Sequence, residues 1–212
     1  MKILILMRNG SSRLPGKHLI NIGGRLILDA IAGNMVNITE DLQVIYCIPD
    51  TSSNDSLYLA LKKRGLTVFR GSESNVLLRL KECIAHYEDD IYVRLNGDNI
   101  FMTSSFLYGA CLLHKYMHAE FSTNVGKRSM PKGLSFQIFS HEFFQKYYVA
   151  NKDNLTAQEH VFINPEKFTE RYVNLEFQGL SSKYESLALD TTEDLELIKD
   201  MIINNKTIFW ND

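Results

Sequence analysis

Apolar residues along this chain fall into short continuous runs separated by stretches of helical spacing. Ile3–Met7 and Leu42–Ile48 are unbroken apolar runs, the pattern of strands covered on both faces. Leu26–Val36, Ser56–Arg64, Asn75–Tyr87 and Phe106–Met117 place apolar residues at helical intervals. Leu66–Phe69 and Ile91–Leu95 read as a third and fourth strand, and Ala119–Thr123 as a fifth. Strand and helix alternating in this way predict an α/β fold, a mostly parallel sheet with helices on both faces. The second half is less regular. Leu134–Phe139 alternates like a strand, Ser140 is placed to cap a helix beginning at His141, and Ala157–Ile163 is a short helix ended by Asn164-Pro165. Tyr172–Phe177 and Leu187–Leu189 read as strands, and Thr191 or Thr192 caps a final helix over Asp194–Ile203. No repeat, low-complexity tract or linker interrupts the chain, so residues 1–212 are expected to form a single domain, with 124–180 its less regular part.

The chain has 212 residues, of which 45% are hydrophobic and 23% charged, enough to bury a full core. Its net charge of −2 provides no basic excess for general nucleic-acid binding, although a small anion needs only a local group of cations. Cys47, Cys83 and Cys111 are odd in number and widely spaced, which indicates neither a zinc knuckle nor a disulfide framework. Reduced, mostly buried thiols in a cytoplasmic protein are the simplest reading. The apolar N-terminus is broken by Arg8, too early for a signal segment or a membrane span.

The first strand empties into Arg8-Asn9-Gly10-Ser11-Ser12-Arg13-Leu14-Pro15-Gly16-Lys17. Small residues let backbone N–H groups approach an anion, and Arg8, Arg13 and Lys17 supply positive charge, which suits a nucleoside triphosphate. The spacing is not that of a Walker A loop. Alternatively, the segment is an ordinary surface turn with solvated cations. Asp98 ends the fourth strand in Arg94-Leu95-Asn96-Gly97-Asp98, and Asp190 stands at another strand-to-helix junction. Two such carboxylates could hold Mg²⁺ over a triphosphate. Asp98 could equally close an Asx-turn, and Asp190 could be a helix N-cap. Ligands of parallel sheets sit at the carboxyl ends of the strands, so the Arg8 loop and Asp98 are expected on one face. His160 either contacts a phosphate or sugar oxygen or packs. His114 and His118 have i,i+4 spacing without the glutamate of a zinc protease motif, and a solvated helix face is the expected reading. Lys127, Arg128 and Lys132 form a basic loop that is either an acceptor contact or a solvated turn. The motifs of serine hydrolases and dinucleotide-binding folds are absent.

In order, these segments resemble the cytidylyltransferases that make CMP-activated acidic sugars, in the branch of the spore coat polysaccharide biosynthesis protein F type. That branch is related to the CMP-sialic acid and CMP-Kdo synthetases. The resemblance is carried by RNGSSRLPGKHL from Arg8, by Phe69-Arg70-Gly71-Ser72-Glu73 and by VRLNGDN from Val93. Gly133–Ser140, Glu159-His160-Val161 and LDTTEDL from Leu189 extend it over nearly the whole chain. It implies a Rossmann-like, glycosyltransferase-A-like nucleotidyltransferase fold, and transfer of CMP from CTP to an acidic sugar or related acceptor with release of pyrophosphate. It further implies that Arg13 and Lys17 grip the β- and γ-phosphates, that Asp98 and Asp190 hold Mg²⁺, and that Arg8, Asn9, Gly10, Ser11 and Ser12 surround the nucleotide. Arg70, Gly71 and Ser72 would approach the nucleotide, with Arg94 and Asn96 beside it, and a homodimer is implied. Phe136, Phe139, Phe143, Phe144, Tyr147 and Tyr148 are compatible with a dimer interface or with a second small core. Relatives usually carry acidic residues where this chain has Ser135 and Gln137, and a Cys-Pro or similar pair where it has Asn99-Ile100. Both segments face the acceptor, so Lys132 and Gln137 are expected near it. Transfer from another nucleoside triphosphate, or nucleotide binding without catalysis, are the alternatives.

Overall fold

The computed structural model describes residues 1–36, 39–177 and 184–204. The chain runs β1 (Lys2–Leu6), a ribbon of β2 (Asn21–Ile22) and β3 (Arg25–Leu26), α1 (Ile27–Asn34), β4 (Gln43–Pro49) and α2 (Asp55–Lys63). It continues through β5 (Val68–Gly71), α3 (Val76–His86), β6 (Ile91–Asn96), α4 (Ser104–Tyr116) and β7 (Phe121–Thr123). Then come β8 (Gln137–Ser140), α5 (His141–Asn151), α6 (Leu155–His160), β9 (Tyr172–Asn174) and α7 (Thr192–Asn204). Seven strands form one sheet in the order β5-β4-β1-β6-β8-β7-β9. Neighbours pair in parallel except that β8 is antiparallel to both β6 and β7, so β8 alone among them runs against the rest. Residues 37–38, 178–183 and 205–212, which the single-domain expectation also covers, lie outside the described residues.

Successive side chains of a strand point to opposite faces, and β1 shows the consequence. Ile3, Ile5 and Met7 join a core with Leu28 of α1, Leu57 of α2, Leu107 of α4 and Ile198 of α7. Leu4 and Leu6 join a second core with Leu80 of α3, Phe143 of α5 and Ala157 of α6. Both faces of the sheet are therefore covered, as the continuous apolar runs predict. Phe136, Phe139, Phe143, Phe144 and Tyr147 are each at most 1% exposed within the chain's own cores, so they do not supply a dimer interface. The three cysteines are buried free thiols, and the sulfurs of Cys47 and Cys83 approach to 3.4 Å. No helix among the described residues is long and apolar enough to cross a membrane.

Several boundaries differ from the sequence expectation for local reasons. Leu66 closes α2 rather than opening a strand. Gly65 takes a left-handed φ of 69°, its N–H donates to the Lys62 carbonyl, and the Leu66 N–H donates to the Leu61 carbonyl at 3.3 Å. That is a Schellman motif, and β5 begins only at Val68. Leu134–Phe136 precedes β8 because the Asn124 side chain occupies its backbone, donating to the Leu134 carbonyl at 2.7 Å and accepting from the Phe136 N–H at 3.0 Å. Helix α6 starts earlier than expected, since Asn154 caps it, and it stops at Val161, whose φ is 66°. Leu187–Leu189 is not a strand. Leu187 N–H donates to the Lys132 carbonyl at 2.7 Å and Leu189 N–H to the Asp98 carbonyl at 3.1 Å, beside a lone bridge between Lys132 and Ser186. His114 is not on a solvated face. It is 1% exposed, bonds the Ser122 hydroxyl at 2.8 Å, and burial pushes its pKa down to about 4.

Helices α1 and α2 are tied by Asp29. Its carboxylate accepts from the Leu26 N–H at 2.7 Å and from both Arg64 Nε at 2.5 Å and Nη2 at 3.0 Å. The Arg64 hydrogen bond holds the Asp29 pKa below the ordinary value, against a smaller opposing effect of burial. A lowered folded-state pKa stabilises the fold above the unfolded value, and that contribution is lost as pH falls through the folded value. Asp29→Ala is expected to cost about 1–3 kcal/mol in urea unfolding at pH 7. The deficit should shrink as the pH is lowered through and below the ordinary aspartate range.

Candidate active site

The carboxyl ends of β1 and β6 lie side by side, with Leu6 in register with Asn96. Beyond β1 the chain enters a loop that Asn9 fixes in place. The Asn9 N–H donates to Asn54 Oδ1 at 2.9 Å, and its amide donates to the Ser53 carbonyl and the Ser56 hydroxyl, both at 2.9 Å. The Asn9 carbonyl accepts from the N–H groups of Ser11 at 2.9 Å and Gly16 at 3.0 Å. Gly16 turns the chain with a left-handed φ of 64°, a conformation costly for any residue bearing a Cβ. That turn delivers Lys17 on a short 3₁₀ segment, 8% exposed and pointing inward.

Lys17 Nζ donates to the Leu189 carbonyl at 2.7 Å and to Asp190 Oδ1 at 3.0 Å, and Arg13 Nη2 donates to Asp190 Oδ2 at 3.0 Å. Asp190 is not the cap of α7. Thr191 Oγ1 accepts from the Asp194 N–H at 3.2 Å, while the Asp194 carboxylate accepts from the N–H groups of Thr191 at 2.8 Å and Asp190 at 3.0 Å. This capping box leaves the Asp190 carboxylate for the cations.

Asp98 follows a turn at which the chain crosses β1 closely. Gly97 N–H donates to the Leu6 carbonyl at 2.8 Å, and the Gly97 carbonyl accepts from His18 Nε2–H at 3.1 Å. A Cβ at Gly97 would lie 2.5 Å from Met7 Cγ and 2.9 Å from His18 Nε2. Burial, with the Lys17 charge beside it, pushes the His18 pKa down to about 3, so the ring is a neutral strut under the turn. Burial also raises the Asp98 carboxyl, and Asp190 adds to that, while Lys17 and Arg94 oppose it. Asp98 Oδ1 is buried without a hydrogen-bond partner. An orphaned carboxylate oxygen beside a second carboxylate fits Mg²⁺, which takes one or two carboxylates and completes its shell with water and phosphate oxygens. Among the described residues, no group of three or more His, Cys, Asp or Glu side chains is placed to hold a metal by itself.

A cleft of about 510 Å³ opens over this end of the sheet. Arg8, Ser11, Ser12, Arg13 and Lys17 line it from the first loop, and Arg94, Asn96 and Asp98 from β6 and its turn. His160 from the end of α6 and Asp190 complete the sequence-derived set that reaches it. Asn9 and Gly10 do not line it, and Asn9 acts as the loop's anchor. Arg70, Gly71 and Ser72 also stand outside. The Arg70 guanidinium pairs with Asp50 at 2.9 Å and Asp55 at 2.8 Å, donates to the Thr51 carbonyl at 3.0 Å, and sits 5.0 Å from the centre of the Tyr58 ring. Gln137 supports the site from behind, accepting from Arg94 Nη1 at 2.7 Å. Lys132 lines an adjoining pocket of about 290 Å³ with Asn99 and Ser135, and that pocket shares Arg13, Asn96, Asp98 and Asp190 with the cleft. Gly133 lets the Lys132 loop pack directly on the segment before Asp190, since a Cβ there would lie 2.4 Å from Ala188 N.

Three further residues of the site have no role assigned from the sequence. His18 and Glu159 stand in segments that carry the family resemblance, and both line the cleft. Arg79 lines it too, from a position among Val76, Leu80 and Cys83 on the apolar stripe of α3. A cation on an apolar stripe is the signal that could have found it.

Cations and carboxylates meeting at the strand ends of a mostly parallel sheet fit a nucleotidyltransferase of Rossmann-like fold, the class to which the family and the similar structures assign the chain. The chain belongs to the cytidylyltransferase family, whose pattern matches residues 2–212. It is 26% identical over 204 residues to the spore coat polysaccharide biosynthesis protein SpsF of Bacillus subtilis, an alignment covering 92% of this chain and 83% of that protein. A cytidylyltransferase from Leptospira borgpetersenii superposes with a TM-score of 0.82 at 28% identity, covering 99% of this chain and 96% of its own. A CMP:2-keto-3-deoxy-manno-octonic acid synthetase complexed with CTP shares the fold at a TM-score of 0.69 and 16% identity, covering 96% of this chain and 98% of its own.

Proposed function

We propose that this chain transfers CMP from CTP to the hydroxyl of an acidic sugar, releasing pyrophosphate, with Mg²⁺ held by Asp98 and Asp190. The observation that carries the reading is the convergence of Lys17 and Arg13 on Asp190, with Asp98, whose Oδ1 has no partner, lining the same cleft. The acceptor oxygen attacks the α-phosphorus, the bond from that phosphorus to the bridging oxygen of the β-phosphate breaks, and the hydroxyl proton passes to water. Magnesium supplies, when bound, positive charge on the α-phosphate and a lower pKa for the attacking hydroxyl. The chain's own residues do the rest. Arg13 and Lys17 exchange Asp190 for phosphate oxygens and stabilise charge growing on pyrophosphate. Neutral His18 keeps the Gly97 turn, and with it Asp98, in position.

The adjoining pocket suits the acceptor. Lys132 offers a cation for a carboxylate, and Asn99 and Ser135 offer neutral hydrogen-bonding groups for hydroxyls. Ser135, on this pocket's wall, is neutral where the family resemblance implies an acid, so the wall repels an acidic acceptor less. Calorimetric titration of the four nucleoside triphosphates with Mg²⁺ tests the donor. CTP is expected to bind most tightly, and tighter binding of GTP, UTP or ATP would overturn the assignment.

A further inference from the structure

Arg79 is 3% exposed, yet among the described residues no carboxylate bonds it. Its Nη1 donates to the Ser72 carbonyl at 2.8 Å, while its Nε is buried without a partner. The stem is wedged in place, since a Cβ at Gly71 would lie 3.0 Å from Arg79 Cγ. A buried guanidinium with unused donors is costly to the fold, and a ligand bearing acceptor atoms relieves that cost.

The strand order lays out the cleft from end to end. Arg79 bonds the carbonyl of Ser72, just past the edge strand β5, and its stem lies against Gly71 of that strand. Asp98 follows β6, which β4 and β1 separate from β5 in the sheet. Arg79 therefore lines the cleft from the β5 side, remote from Asp98. If the triphosphate lies over Lys17, Asp98 and Asp190, the group that reaches Arg79 is the nucleoside.

We propose that the Arg79 guanidinium reads the base, donating to O2 and N3 of cytosine. Cytosine presents two adjacent acceptors there, and a guanidinium presents donors in a rigid fork. Uracil carries a proton on N3, which would set a donor against a donor. Arg79 is then a specificity residue, distinct from the phosphate-gripping Arg13 and Lys17. The inference rests on the CTP reading above.

The test compares kcat/KM for CTP and UTP in the wild type, Arg79→Gln and Arg79→Lys, with competitive inhibition by inorganic tripolyphosphate measured in each. Gln presents one donor and one acceptor and so accommodates either pyrimidine, whereas Lys keeps the charge without the fork. The preference for CTP over UTP is expected to fall at least about tenfold in both variants, the scale of one lost bidentate base contact. Inhibition by tripolyphosphate should be unchanged, which also reports that the variants are folded. Should Arg79→Gln fail to fold, Arg79→Lys carries the comparison alone. Equal losses for CTP and UTP with weaker tripolyphosphate inhibition would make Arg79 a phosphate contact and overturn the proposal. An unchanged preference would overturn it as well. A wild type that prefers another triphosphate to CTP would instead overturn the CTP reading on which it rests.

Discussion

Asp98→Ala is expected to lower CMP transfer by about 10³-fold or more, because it removes the carboxylate placed to hold the metal where charge develops. Its melting temperature should be unchanged or slightly raised. Asp98 is desolvated, faces the like charge of Asp190, and leaves Oδ1 without a partner, so its removal relieves an unfavourable arrangement instead of breaking a bond. Loss of function without loss of stability marks a residue kept for chemistry. Pyrophosphate release and thermal melting read the two effects separately, and normal turnover by the purified variant would remove Asp98 from the mechanism. Asp98→Asn should behave alike in turnover, since a neutral amide of the same shape cannot replace an anionic ligand.

Lys17→Met should damage both catalysis and the fold. Lys17 is the link between the first loop and the segment preceding α7, through its bonds to the Leu189 carbonyl and to Asp190. Removing it takes a cation from the proposed pyrophosphate grip, which should lower kcat by about 10²-fold or more and raise KM for the nucleotide. It also leaves a buried carbonyl unsatisfied, at about 1–3 kcal/mol. For a chain of this size each kcal/mol corresponds to roughly 2–4 °C in melting temperature. The cycle with Asp190→Ala discriminates the cause. If the pair is coupled as described, the double variant loses less stability than the sum of the single losses. Strict additivity would mean that the two side chains act independently.

The first half of this fold is legible in the sequence because each strand there is covered on both faces. Ile3–Met7 and Leu42–Ile48 therefore announce themselves as unbroken apolar runs, and the strand ends fix where Arg8 and Asp98 emerge. The same simplicity fails where side chains replace backbone pairing. Asn124 binds the stretch before β8, and the Schellman turn at Gly65 takes Leu66 from the neighbouring strand, and neither has an apolar periodicity to reveal it. In the site, the cations on the first loop and the two candidate metal carboxylates were readable because charged residues at strand ends are conspicuous. Arg70 enters only through the family resemblance, and its charge is matched by Asp50 and Asp55. Arg79 was hidden because it occupies a position that the helical pattern assigns to the core. Only the packing of α3 against β5 shows that its guanidinium borders the cleft.

The central claim is that CMP moves from CTP to an acidic hydroxyl acceptor at this cleft. The most direct measurement incubates the purified chain with CTP, Mg²⁺ and each member of a panel of sialic acid-like, Kdo-like and phosphonate acceptors. Pyrophosphate release is followed and the product is weighed by mass spectrometry. The account predicts one acceptor that gains the mass of a cytidylyl group, with one pyrophosphate released per product formed. Binding of CTP without pyrophosphate release for every acceptor, or an adduct carrying a different nucleotide, would contradict it.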